Sequence, residues 1–342
     1  MSRLCFAMTS NVPSLSRPAT TSYSSKANDA AHNGPLFVVF NPGAGSSDAG
    51  QERILMEKIF SEAGREVEFL RITGPDQVAQ TARQAVERAQ ERHGVVVAAG
   101  GDGTISAVAA AVLGSGCPFG VLPQGTFNYF GRANAIPQGT EAAARALLGA
   151  SISPVQVGLL NGRLFLVNAS VGLYPQLLED RESWKRKLGR SRVVAFFSGL
   201  VTLIQARSQL DLQIEVGGKV ISMRTPTLFV GNNDLQLARV GIDNAKVAAL
   251  SQGLLTGIAV RPIGTWALFG LLMHGLIGRL GDAENIDSFS FRRLTVKPRH
   301  VKRIKTAIDG EIQWMNTPLV FEVAQEALLL MVPAAADRAE IA

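Results

Sequence analysis

Cysteine is nearly missing. Cys5 and Cys117 are the two in 342 residues, and they stand in unlike settings, so neither a disulfide framework nor a cysteine metal site is supported. That scarcity fits a reducing, cytoplasmic compartment. Histidine is scarce as well, and His32, His93, His274 and His300 have no metal-ligand spacing. Long apolar runs are also lacking. The longest, Ile263–Leu280, is interrupted by His274 and Arg279, whereas a spanning helix wants ~20 mostly apolar residues. No segment therefore reads as a transmembrane span, and Leu4–Met8 is too short for the apolar core of a secretory signal. Internal repeats are absent, and so is low-complexity sequence beyond the first 33 residues.

What is present points to two globular units. Hydrophobic residues make up 46% of the chain, more than a single core of this length usually absorbs. Net charge is +6 and the isoelectric point about 9.6, which favours phosphate groups, anionic membrane surfaces or nucleic acid without choosing among them. Residues 1–33 are rich in Ser, Thr, Ala and Asn and read as a disordered tail. Because Arg3 and Arg17 precede any acidic residue, a transit peptide is the alternative there.

Residues 34–150 alternate short apolar runs with amphipathic stretches, as an α/β sheet with helices on its faces would. Strands are expected at Leu36–Phe40, Glu66–Arg71, Val95–Ala98 and Phe119–Leu122, with helices at Asp48–Ala63, Pro75–Arg92 and Ile105–Leu113. The rhythm changes in residues 151–333. Asn161-Gly162 between Val155–Leu160 and Arg163–Val167 is a two-residue hairpin signal, and Gly217-Gly218-Lys219 is a similar one. Further strands are expected at Arg293–Lys297, Val301–Ile308 and Leu319–Val323. Helical inserts near Arg192–Ala206 and Pro262–Leu280 interrupt this β-rich unit, and residues 334–342 read as a C-terminal tail.

Three glycine-bearing loops fall at the ends of the expected parallel strands, where open α/β sheets bind their ligands. They are Asn41-Pro42-Gly43-Ala44-Gly45-Ser46, Gly100-Gly101-Asp102-Gly103-Thr104 and Pro123-Gln124-Gly125-Thr126-Phe127-Asn128. Glycines let a backbone approach an oxyanion closely, and the N–H groups of the loop and of the following helix then point at it. Asp102 sits where it could meet a nucleotide-bound metal or a reacting hydroxyl. Locally, a plain strand-to-helix turn with an Asx cap would read the same way. No Gly-Lys-Ser/Thr closes the second loop, so it is not a Walker A element, and Ser106 stands where a dinucleotide fingerprint needs its third glycine. Thr73 ends another strand and is either a nucleotide contact or a helix N-cap.

In order and spacing, these three segments together with Asp309-Gly310-Glu311 resemble the diacylglycerol kinase catalytic-domain family and its bacterial lipid kinase relatives, from about Leu36 to Pro333. The resemblance implies an N-terminal α/β nucleotide-binding domain of the NAD kinase and phosphofructokinase kind, a C-terminal β-sandwich, and ATP and lipid in the cleft between them. It implies nucleotide contacts at Asn41, Pro42, Gly43, Ala44, Gly45, Thr73, Gly100, Gly101, Asp102, Gly103, Thr104, Gly125, Thr126 and Asn128. Glu311 is then expected as the base that takes the acceptor proton, with Asp309 supporting it and Asp102 as the competing assignment. Magnesium (Mg2+) travels with the nucleotide, and Asp102 is the residue expected to meet it.

Two departures stand out. Tyr129 occupies the place where the family usually has Asp, and Ser251-Gln252-Gly253-Leu254 lacks the acidic pair that holds a structural magnesium in bacterial members. The partners implied are a lipid substrate and the surface of an anionic membrane, contacted peripherally; a homodimer is compatible, and a nucleic acid is supported by net charge alone. The basic run Arg181–Arg192 is either a lipid-headgroup contact or a solvated face, and Trp184, Trp266 and Trp314 are expected to be packing residues. Two rivals share the glycine loops: an NAD kinase-like enzyme with a soluble acceptor, and a non-catalytic nucleotide-binding regulatory protein.

Overall fold

Leu36–Phe40 (β1) and Val95–Gly100 (β3) are apolar throughout and buried throughout, as central strands of a parallel sheet covered on both faces must be. They belong to a computed structural model that describes residues 25–43, 49–172, 210–216, 219–232, 253–260 and 286–339. Around these two strands the chain winds helix Ser25–Asn33 (α1), helix Ala49–Glu62 (α2), strand Val67–Arg71 (β2), helix Val78–Glu91 (α3), helix Asp102–Val112 (α4), strand Phe119–Pro123 (β4), helices Tyr129–Ala133 (α5) and Thr140–Leu148 (α6), and strand Ser151–Val155 (β5). Phe37, Val39 and Val96 pack against α3 and α4 on one face of the sheet. Val38 and Phe40 pack on the other against Met56, Ile59 and Phe60 of α2 and Leu147 of α6.

Beyond β5 the described chain is built of strands: Gly158–Leu160 (β6), Arg163–Phe165 (β7), Asn168–Gly172 (β8), Leu210–Val216 (β9), Lys219–Thr225 (β10), Thr227–Gly231 (β11), Leu255–Val260 (β12), Ile286–Phe291 (β13), Arg293–Pro298 (β14), Arg303–Ile308 (β15), Glu311–Asn316 (β16), Leu319–Val323 (β17) and Leu328–Val332 (β18). Two six-stranded sheets result, ordered β10-β9-β14-β17-β6-β7 and β13-β12-β11-β8-β15-β16. Alternate residues of both, among them Phe165, Val171, Leu228, Leu294 and Phe321, meet in one core, which makes this unit a β-sandwich. The described chain is therefore an α/β unit joined to a β-rich unit. Asn161 (φ 48°) and Gly162 (φ 77°) form the tight turn joining β6 to β7, as their sequence requires.

Three features depart from the sequence expectation. Residues 25–33 of the expected tail are helical: Ala27, Ala30 and Ala31 are buried, and the Arg65 guanidinium donates to the carbonyl oxygens of Ala31 (3.0 Å), His32 (2.6 Å) and Gly34 (2.7 Å). A cation among the last carbonyls satisfies acceptors that a helix end leaves open, and burial holds Arg65 below its ordinary pKa. The first sheet also crosses the expected 150/151 boundary. Its order is β2-β1-β3-β4-β18-β5, so the chain returns at Leu328–Val332 to pair with β4 in parallel and with β5 antiparallel. Strand β18 is apolar on both faces, and the slot beside β4 buries both.

Trp314 is not a packing residue. It stands 56% exposed on edge strand β16, with the Lys305 ammonium 5.5 Å from its ring centre. Trp184, Trp266, the run Arg181–Arg192 and both expected helical inserts lie outside the described residues. Among the described residues no helix is long and apolar enough to cross a membrane.

Candidate active site

The second glycine loop ends β3 and opens α4. A Cβ at Gly100 would lie 2.8 Å from Cβ of Thr104, so this position accepts no side chain while Thr104 packs beneath it. Thr104 is buried, and its hydroxyl accepts from Nδ2 of Asn41 at 2.8 Å. Oδ1 of Asn41 accepts from the Gly43 N–H at 3.0 Å. One amide thus folds the first loop and latches it to α4. The third loop closes on the second: a Cβ at Gly125 would fall 2.9 Å from the Cα of Gly101 and 2.7 Å from Oδ1 of Asn128. Only glycines allow the two backbones this approach.

Two of the expected nucleotide residues have side chains engaged within the protein. Asn128 takes a left-handed conformation (φ 48°), and its side chain bonds the Gly125 N–H (3.0 Å), the Gly125 carbonyl (2.9 Å) and the Gln138 amide oxygen (2.8 Å). It is buried and shapes the third loop. Asp102 turns toward the start of α5, where the N–H groups of Asn128 (2.9 Å), Tyr129 and Phe130 point at its carboxylate. That is the anion-at-a-helix-start arrangement. Burial pushes its pKa up, the three N–H groups pull it down, and neighbouring Asp309 adds to the rise. Oδ1 of Asp102 is buried without a partner. Tyr129, in the place of the family's Asp, stacks on the exposed ring of Phe127 at 5.7 Å.

Asp309, at φ 46°, is pinned by four donors. Oδ1 accepts from the N–H groups of Val167 (2.9 Å) and Asn168 (3.0 Å), and Oδ2 from the Leu166 N–H (2.8 Å) and the Ser106 hydroxyl (2.9 Å). Burial drives its pKa upward and these four bonds oppose the rise. The carboxylate joins α4 of the first unit to the β7–β8 connection of the second. Glu311 begins β16 on the exposed side of the same turn. Its Oε1 lies 3.0 Å from where a Cβ on Gly103 would stand, so this carboxylate leans onto the first turn of α4.

Between the units opens a cavity of about 1080 Å³. Asn41, Pro42, Gly43, Thr73, Gly101, Gly103 and Thr104 line it from the first unit, and Asp309 and Glu311 from the second. Gly100, Asp102, Gly125, Thr126 and Asn128 are not among the residues that line it. Ala44, Gly45, Ser251 and Gln252 lie outside the described residues. The Thr73 hydroxyl is engaged with the Gln77 side-chain oxygen, and the helical turn that follows is capped at Gly74 without a side-chain bond, so Thr73 is not its N-cap. Further lining residues carry no motif: Arg163 and Gln313, whose side chains touch each other, and an apolar wall that includes Ile72, Val78, Ala107, Ala110 and Leu164. Ser106 was the one legible signal, as the residue that breaks the dinucleotide fingerprint.

Among the described residues no group of three or more His, Cys, Asp or Glu could hold a metal by itself. Asp102 offers one unpartnered oxygen, and Asp309 has both oxygens engaged. Since a magnesium ion takes about six oxygens, this donor set fits an ion whose remaining ligands are nucleotide phosphates and water.

Residues 35–160 match the diacylglycerol kinase catalytic domain. An uncharacterized protein of Synechocystis is 31% identical over 207 residues, covering 57% of this chain and 46% of its own length. The diacylglycerol kinase of Bacillus subtilis is 29% identical over 186 residues (54% and 60%), and that of Staphylococcus aureus (strain MRSA252) 28% over 200 residues (57% and 61%). The chain thus aligns with 46% to 61% of the length of these relatives. The crystal structure of a diacylglycerol kinase from Bacillus anthracis superposes with a TM-score of 0.67 at 20% identity, covering 88% of this chain and 98% of that one, a likeness of fold. The likeness to the diacylglycerol kinase catalytic domain thus lies in residues 35–160, which hold all three glycine loops.

Proposed function

We propose that this protein is an ATP-dependent lipid kinase that transfers the γ-phosphoryl group to the hydroxyl of a diacylglycerol-like or sphingoid-like lipid. The observation that carries the reading is Glu311, whose carboxylate leans on the first turn of α4 across a cavity lined by two of the glycine loops. A phosphate held at the start of α4 meets N–H groups and the positive end of the helix. A hydroxyl beside Glu311 then has a base within reach.

Glu311 is preferred to Asp309 because all the lone-pair directions that Asp309 turns inward already receive hydrogens. It is preferred to Asp102 because Asp102 faces α5 and not the cavity. Glu311 takes the hydroxyl proton as the new oxygen–phosphorus bond forms, the bond to the bridging β,γ oxygen breaks, and ADP leaves with that electron pair. Magnesium carried by the nucleotide would spread the charge on the phosphates. The apolar wall of α4 and the β6–β7 hairpin suits a ligand with an apolar body, and a lipid acceptor implies work at a membrane surface by peripheral contact.

The test is incubation with γ-labelled ATP and a total lipid extract. Label should pass into a phosphorylated lipid in the organic phase. Label that stays in the aqueous phase, or that appears on a soluble dinucleotide, would refute the reading.

A further inference from the structure

The glycine loops that face the cavity carry no positive charge. Asn41–Asp48 and Gly100–Ser106 contain no Lys or Arg, and the one basic side chain near the third loop, Arg132, is engaged with the Phe127 carbonyl at 2.9 Å. Among the described residues, the charged ones that line the cavity are Asp76, Asp309, Glu311 and Arg163. A nucleoside triphosphate would bring several further negative charges into this acidic setting. Loop N–H groups and one helix start offset part of that charge, and the remainder needs a cation.

Among the described residues lining the cavity, Arg163 is the cationic side chain, and it comes from the second unit, on β7. Its guanidinium touches the side-chain oxygen of Gln313 on β16. Gln313 is two residues beyond Glu311, so both side chains leave the same face of the strand, roughly 7 Å apart along it. Arg163 is thereby held near the end of the cavity where Glu311 sits, and a guanidinium offers a planar fork of N–H donors matched to phosphate oxygens.

We infer that Arg163, oriented by Gln313, is the clamp for the terminal phosphoryl group of the nucleoside triphosphate, so that nucleotide recognition is completed by the unit that carries Glu311. The inference rests on the nucleotide reading above and names which phosphate this residue serves. Arg163 contacts the phosphoryl group, and Gln313 is a positioning residue that acts through it.

The test measures equilibrium affinity for ATP and for ADP, without lipid, in the wild type and in Arg163→Ala, Arg163→Lys and Gln313→Ala, with thermal midpoints recorded to show that each variant folds. Loss of a charge-assisted phosphate contact should weaken ATP binding by about 10–100-fold in Arg163→Ala. ADP affinity should stay within about twofold, since the missing group is the one ADP lacks. Arg163→Lys should recover part of the loss, and Gln313→Ala should show a smaller loss with the same preference for ATP. Equal weakening of ATP and ADP, or no change in either, overturns the assignment while leaving the kinase reading in place. A wild type that binds neither nucleotide overturns both. An acceptor headgroup as the true ligand would appear as unchanged ATP affinity with a raised KM for lipid, which also overturns it.

Discussion

Asp309→Asn tests whether the aspartate of the Asp-Gly-Glu turn joins the two units. The amide keeps one oxygen. If that oxygen takes the place of Oδ1, it still accepts from Val167 and Asn168, and the Ser106 hydroxyl can reverse its bond and accept from the new NH2 group. The Leu166 N–H, which lies 2.8 Å from Oδ2, then faces the new nitrogen and loses its acceptor in a buried place. Leaving one buried donor without a partner costs about 1–3 kcal/mol, and turning the charged acceptor neutral weakens the bonds that remain. Removing a buried charge works in the opposite sense, so the net loss should lie near the lower end, about 1–2 kcal/mol. The assay is chemical denaturation at neutral pH, with Glu311→Gln as the control, since Glu311 is exposed. Asp309→Asn should unfold at lower denaturant and Glu311→Gln at the wild-type midpoint. An Asp309→Asn protein as stable as the wild type would remove Asp309 as the pin between α4 and the β7–β8 connection.

Gly125→Ala should destabilise by about 1–3 kcal/mol, because its Cβ would meet the Gly101 Cα at 2.9 Å, backbone against backbone; thermal shifts with and without ATP check this, and an unchanged midpoint would deny the close approach. Asp102 titrates above its ordinary range, chiefly through burial. Between the unfolded and folded pKa values the native state binds more protons, so its contribution is full below the unfolded value near 3.9 and is lost as pH rises through the folded value. Asp102→Asn should flatten that fall in a series of unfolding curves, and an unaltered pH dependence would refute the shift.

Much of the first unit was legible because its central strands are buried on both faces and so are written as unbroken apolar runs, such as Val95–Ala99, followed by glycines. The hairpin at Asn161-Gly162 was legible because its left-handed φ values need those residues. The return of Leu328–Val332 to the first sheet was not, since an apolar strand names no partner, and β18 meets β4 more than 200 residues away in sequence. The same limit hid the roles of individual site residues. Sequence gathers Asp102, Asn128, Asp309 and Glu311 into motifs, but the direction of each side chain depends on donors supplied by distant segments. Asp309 is held by Ser106 and Leu166–Asn168, and Asp102 by Asn128–Phe130. Arg163 and Gln313 carry no motif and enter the site through the approach of two sheet edges, β7 and β16.

The central claim is that one unit binds ATP while Glu311 of the other activates the acceptor. It is tested most directly by measuring, for Glu311→Gln, ATP affinity together with the single-turnover rate of phosphoryl transfer to lipid. The amide keeps the outline of the side chain but cannot take a proton, so transfer should slow by about 10²–10⁴-fold while ATP affinity stays within about twofold. Transfer at the wild-type rate would contradict the account and return the role of base to Asp309 or Asp102.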